Sequence, residues 1–136
     1  MKEEKIFFVD YSEVYYLGVA TALPDRRAGK FVQLRHDNAE YLVFSPKELT
    51  AYHADIVERF CLEKDIPGVY NLQSKRFIIH DPEWVVVGGG KFEINAVQRY
   101  VLLYDNSMAY GRFDPHGLKD KIRGTEELKD YEVEIQ

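Results

Sequence analysis

Residues 30–36 (KFVQLRH) and 40–45 (EYLVFS) are two β-type segments, rich in aromatic and branched residues, separated only by Asp37-Asn38-Ala39. That arrangement predicts a hairpin. Two strands alone are marginal in water, so the hairpin commits the chain to a larger sheet with something packed on it. The next segment, SPKELTAYHADIVERFCLEKDIPG over residues 45–68, supplies the cover. Ser45 has the chemistry of an N-cap, Pro46 suits the first helical position, and Glu48 completes a capping box. Leu49, Tyr52, Ile56, Val57, Phe60 and Cys61 recur at helical spacing, and Pro67-Gly68 ends the pattern. One residue on that apolar stripe is out of character: His53.

The rest of the chain reads as further sheet. Residues 5–10 and 14–23 have strand composition, with a loop over 24–29 between them and the hairpin. Residues 76–80 and 83–87 read as strands, the latter running into Gly88-Gly89-Gly90, with 91–97 resuming after that turn. Residues 99–105 (RYVLLYD) are nearly all apolar, as in a strand buried on both faces. Asp114 can cap a second helix, with Pro115 first, Leu118 and Ile122 inward and Gly124 ending it. Residues 131–135 (YEVEI) alternate like a half-buried strand. The expectation is a single α/β (α+β) domain over residues 1–136: one mixed β-sheet with two α-helices packed on it.

Composition narrows the function. The 136 residues are 46% hydrophobic and 30% charged, with a net charge of −5. The only local basic cluster is residues 25–30, which argues against a general nucleic-acid binder. No apolar run approaches the roughly 20 residues of a membrane span. The single cysteine, Cys61, rules out an internal disulfide, and the charged start leads into an apolar run too short for a signal peptide. A cytoplasmic protein without nucleic-acid or membrane partners is expected.

Four features could carry chemistry. His53 on the helix stripe is either a core histidine hydrogen-bonded to a carbonyl or an imidazole facing a cleft, where a neutral ring could act as base or nucleophile. Gly88-Gly89-Gly90-Lys91 allows close backbone approach and could cradle an oxyanion, or it is a simple strand bend; it lacks the Walker spacing. Asn106-Ser107-Met108-Ala109-Tyr110-Gly111 follows an apolar strand and offers a hydroxyl and amides to phosphate oxygens, or forms an ordinary turn. Lys30 shares a face with Val32 and Leu34, and its amine can reach a cleft.

Taken together, Tyr52-His53-Ala54-Asp55, Gly88-Gly89-Gly90 followed by a basic residue, and Ser107-Met108-Ala109-Tyr110-Gly111 resemble the phosphohistidine phosphatase (Janus/Ocnus) family. The clear likeness covers about residues 50–58 and 88–111, and a looser one 30–36 and 115–135; residues 1–28 lie outside it. The resemblance implies a metal-free phosphatase acting on phosphohistidine in proteins. It makes His53 catalytic and puts Lys30, Ser107, Ala109 and Lys91 at the phosphate. Met108, Gly88 and Gly90 complete the expected binding set through their backbone.

Four features depart from the family pattern. Lys91 stands where animal members carry Arg, and Ser45 where they carry another. Asn106 replaces a Tyr. The stretch from His53 to Gly88 is longer, consistent with an added strand or hairpin at 69–80. The P–N bond has an imidazole leaving group, so the expected needs are positioning and charge stabilisation, with no cofactor and no metal. His36, His80 and His116 lack metal-ligand spacing. The competing expectations are a non-catalytic phosphate- or phosphoprotein-binding module and a hydrolase of small phosphoramidates whose pocket is shaped by residues 69–80.

Overall fold

The computed structural model describes residues 5–19 and 23–136. The fold is mixed α+β. One curled, mixed sheet has the strand order β1-β3-β2-β6-β7-β8, and a separate two-stranded sheet pairs β4 with β5. The large sheet contains β1 (Lys5–Asp10), β2 (Arg26–His36), β3 (Ala39–Pro46), β6 (Trp84–Asn95), β7 (Tyr100–Tyr104) and β8 (Glu132–Ile135). The small sheet is β4 (Gly68–Asn71) and β5 (Arg76–Ile79), the expected added hairpin. Three helices, α1 (Ser12–Val19), α2 (His53–Glu63) and α3 (Leu118–Arg123), replace the two expected.

The hairpin β2–β3 forms as its sequence predicts, from His36↔Ala39 through Gly29↔Pro46. β1 adds to β3 in parallel, and β8 to β7 in parallel; the inner pairs are antiparallel. β2 and β6 share the longest ladder. Its register shifts between Gln33 and Leu34, where Gly88 and Val86 are the partners and Val87 is the extra residue of a bulge.

Each face of the sheet carries a core. On one, α2 places Ile56, Val57, Phe60 and Cys61 against Val32, Leu34 and Val43. On the other, Leu118 and Ile122 of α3 meet Phe31, Phe44, Phe92 and Leu103. Burial of each such side chain contributes roughly 1.5–3 kcal/mol. Between the layers Gln33 and Glu40 are buried. Gln33 donates to Glu40 (2.9 Å) and accepts from the Asp114 amide (2.7 Å), while Arg35 (2.9 Å) and Lys121 (3.1 Å) neutralise the Glu40 carboxylate.

Several expectations fail for local reasons. Residues 14–23 are not a strand: α1 runs to Val19, and residues 20–22 lie outside the described residues. The Asp10 carboxylate takes the Ser12 amide (2.8 Å), turning the chain out of β1 and into the helix despite its β-type composition. The expected loop 24–29 is mostly the start of β2. Ser45 is not an N-cap. It is buried in β3 opposite Lys30, and its side chain accepts from Thr50.

The helix signal Ser45-Pro46-Lys47-Glu48 yields only a turn, closed by Leu49 and Thr50 amides on the Pro46 carbonyl. Lys30 then captures the Ala51 carbonyl (2.6 Å), and α2 starts afresh at His53, with the Asp55 carboxylate accepting the Tyr52 amide (3.1 Å). Tyr52 is exposed and not on the stripe.

Gly88-Gly89-Gly90 is not a turn either, but the middle of a continuous 12-residue β6. β7 is buried on alternate residues only. Asp114 does not cap α3; it binds Arg35 (3.0 Å) and the His116 amide, while Gly117, at φ 68°, leads into a helix whose inward Leu118 and Ile122 and terminal Gly124 are as expected.

Candidate functional site

Because α2 begins at His53, the imidazole stands on the first helical turn and not midway along the stripe. It is 7% exposed. Its Nε2 lies 2.8 Å from the Gly90 carbonyl oxygen. A carbonyl only accepts, so Nε2 carries the proton and the neutral ring keeps its lone pair on Nδ1. Nδ1 has no hydrogen-bond partner among the described residues. Both expected environments of His53 are therefore realised at once: it is bonded to a carbonyl, and it lines a cavity.

The glycines of β6 make this possible. A Cβ at Gly89 would stand 2.7 Å from the His53 ring and 2.6 Å from the Phe31 carbonyl; one at Gly90 would meet the Tyr104 carbonyl and the Phe113 ring. Close approach is what the run supplies, with no left-handed backbone among the three. Neither Gly88 nor Gly90 lines the cavity. Gly90 acts through the carbonyl it gives to His53.

The cavity, about 720 Å³, lies where the α2 N-terminus, β2, β6, the loop after β7 and the β4–β5 turn converge. It is lined by Lys30, His53, Lys91, Ser107, Met108 and Ala109, all expected from sequence. Tyr52, Ala54, Tyr70, Ser74, Lys75, Asp105 and Asn106 also line it. Lys30 and Lys91 face each other across the β2–β6 ladder. Lys91 is paired with Asp105 (3.1 Å), and that bond holds the Asp105 carboxyl below its ordinary pKa.

Three lysines around one carboxylate make a positive concavity on an acidic protein. Burial pushes the His53 pKa down; Lys30 and Lys91 push the same way, against the Gly90 bond and Asp105. The helix N-terminus also disfavours the imidazolium. His53 is thus the neutral ring that acceptor chemistry requires.

The loop is tightly built. Ser107 and Gly111 exchange backbone bonds (3.1 and 2.7 Å), and Gly111 takes φ 86°, which suits glycine. The Ser107 hydroxyl accepts the Tyr110 amide (3.1 Å). The amides of Met108 and Ala109 have no acceptor among the described residues, and neither do those of His53 and Ala54 at the start of α2. Orphan donors on two sides of a cationic cavity are groups able to donate hydrogen bonds to an anion.

Tyr110 latches the β4–β5 hairpin to this loop. Its hydroxyl accepts the Phe77 amide (2.7 Å) and donates to the Phe77 carbonyl (3.0 Å), while Arg76 donates to the Ala109 carbonyl (2.6 Å).

Sequence reasoning gave residues 69–80 a part in the pocket under one competing expectation but did not single out Tyr70, Ser74 or Lys75, which belong to no motif and reach the cavity through this latch. Asp105 had a signal: an acid directly before the loop, one strand from Lys91. One further group of possible metal ligands gathers elsewhere, His36, Asp37 and Glu83, none of which lines the cavity. One ligand atom from each of the three lies within 4.8 Å of the others, and the two carboxylates approach different ring nitrogens of His36 (3.7 and 3.9 Å). No helix among the described residues is long and apolar enough to cross a membrane.

Compared with known families, residues 30–132 match the family model described as the Janus/Ocnus family (Ocnus), a span that holds every cavity-lining residue. No curated protein matches the chain.

Proposed function

The chain belongs to the Janus/Ocnus family, and from that premise we propose that its cavity hydrolyses the P–N bond of phosphohistidine in proteins without a metal. One observation carries the reading: Nε2 of His53 is tied to the Gly90 carbonyl inside a cationic cavity, which leaves Nδ1 as a neutral, unpartnered acceptor. A purely anion-binding pocket gains nothing from such a group.

In the proposed reaction the phosphoryl oxygens rest on Lys30, Lys91 and the free amides of Met108 and Ala109. Nδ1 takes a proton from water as the O–P bond forms and the P–N bond breaks; the departing imidazole nitrogen takes a proton from solvent, and Nδ1 returns its own to solvent. In the alternative route Nδ1 itself takes the phosphoryl group and water releases it. Both routes need the same tautomer. Exposed Tyr52, Tyr70 and Met108 around the rim offer apolar surface to the leaving imidazole and its peptide.

A second reading has its own support. The β4–β5 turn adds Tyr70, Ser74 and Lys75 to the cavity wall, and about 720 Å³ is in the range of small-molecule sites. That favours a small phosphoramidate as substrate.

The test is hydrolysis of a phosphohistidine peptide and of phosphoramidate, with EDTA present, by the wild type and by His53→Ala, both checked by circular dichroism. The expected result is wild-type turnover that falls about 10²–10⁴-fold or more in the folded variant. Turnover of phosphoramidate alone selects the second reading. Tight phosphate binding without turnover of either by the folded wild type assigns the cavity to a binding module.

A further inference from the structure

Resting on the reading of the cavity as a phosphoryl-anion site, we infer that Lys75 is a specificity residue that binds a second anionic group of the ligand.

Three observations meet at this residue. Lys75 lines the cavity from the β4–β5 turn, on an element separate from those that carry Lys30, Lys91 and the 107–111 loop. Of the three cavity lysines it alone has no protein oxygen already bound among the described residues: Lys30 donates to Ala51 and Lys91 pairs with Asp105. And it occupies φ 56°, a left-handed position that asparagine or glycine takes more readily. The turn around it is fully determined. Asn71 accepts the amides of Gln73 and Ser74 through its side chain (both 2.9 Å) and that of Lys75 through its carbonyl (2.8 Å). A cationic side chain at a position whose backbone suits asparagine points to a role for the side chain itself.

The latch gives that role a fixed geometry. Tyr110 and Arg76 join the hairpin to the loop whose Met108 and Ala109 amides face the first phosphoryl group. Lys75 is therefore held relative to that group. A ligand with one anionic centre uses Lys30, Lys91 and the loop. A ligand with two, spaced to span the cavity, also engages Lys75, and the second contact is intramolecular once the first is made.

The experiment is calorimetric titration of the full chain with methylphosphonate and with alkane-α,ω-bisphosphonates of increasing chain length. The wild type, Lys75→Asn and Lys75→Arg are compared. Asparagine preserves the turn, so the variant keeps its fold, and arginine restores the charge. At least one bisphosphonate should bind the wild type roughly fivefold or more tightly than methylphosphonate. Lys75→Asn should erase that gain while leaving methylphosphonate affinity within about twofold, and Lys75→Arg should keep most of it.

A gain that survives in Lys75→Asn, or no gain at any length while methylphosphonate binds, overturns the inference and leaves the anion site standing. If methylphosphonate itself does not bind, the reading of the cavity falls, and the inference with it.

Discussion

Gly89 and His53 divide one volume of space: the side chain that β6 omits at Gly89 is the room in which the His53 ring lies, 2.7 Å from where a Cβ would be. The ring reaches the Gly90 carbonyl only because of that omission. Gly89→Ala should therefore act on both stability and site. Its methyl group meets the Phe31 carbonyl as well as the ring, and crowding of this kind costs about 1–3 kcal/mol. Urea unfolding should show that loss. Hydrolysis by the folded fraction should drop nearly as far as in His53→Ala; undiminished activity would mean that the ring's seat is not needed.

Burial holds His53 below the ordinary histidine pKa of about 6.5. The unfolded chain thus binds a proton at this residue where the folded chain does not. The stability tied to the neutral ring is present above the unfolded value and declines as pH falls from about 6.5 through the folded pKa, levelling off below it. The difference in unfolding free energy between wild type and His53→Gln should shrink over that window. The acid limb of hydrolysis should lie below that of a free histidine. An NMR titration placing the His53 pKa above 6.5 would contradict both.

Asp105 partly neutralises Lys91 at the cavity edge. Asp105 sits at φ 66°, which asparagine tolerates, so Asp105→Asn should keep the loop and free the amine. Inorganic phosphate should then bind about two- to fivefold more tightly at low salt, with the gain fading as salt rises. Weaker binding would assign Asp105 a positioning role for Lys91 instead.

Tyr110→Phe removes one hydroxyl and with it both backbone contacts to Phe77. Leaving partly buried groups unsatisfied costs about 1–3 kcal/mol. Amide exchange should quicken in β4 and β5 and stay unchanged in β2 and β6. Uniform acceleration across the sheet would show that the hairpin is not a separately latched unit.

The strands that carry the site were legible where burial and turn chemistry agree, as in Lys30–His36, Glu40–Ser45 and the half-buried alternation before Ile135. The set of residues converging on the cavity was expected as well, but through resemblance: the motifs around His53, Gly88-Gly89-Gly90-Lys91 and Ser107–Gly111 are similar to the Janus/Ocnus pattern, which implied Lys30, His53, Lys91 and Ser107 together. The start of α2 was not. Ser45-Pro46-Lys47-Glu48 satisfies every local rule for a helix N-terminus, yet Ser45 and Pro46 pair with Lys30 and Gly29, and ladder bonds outweigh a cap. The first helix was lost to the same kind of competition, with one Asp10 side chain deciding against β propensity. Nothing local marks Lys75, whose place in the cavity depends on a tyrosine 35 positions away in the chain.

The extra residue at Val87 has a consequence for how this strand can change over generations. Side chains alternate faces along a strand, yet Trp84 and Val86, which pack on the core beneath α2, share their face with the positions of Gly89 and Lys91. Even numbers before the bulge and odd numbers after it point the same way, so Val87 is a parity switch. Loss of that one residue would turn Lys91 into the opposite core, or Trp84 out of its own. A point substitution along β6 acts at its own site, whereas a change in length by one residue reverses the face of every residue beyond it. The reading frame of the sheet, as much as any single side chain, keeps the two lysines beside the histidine.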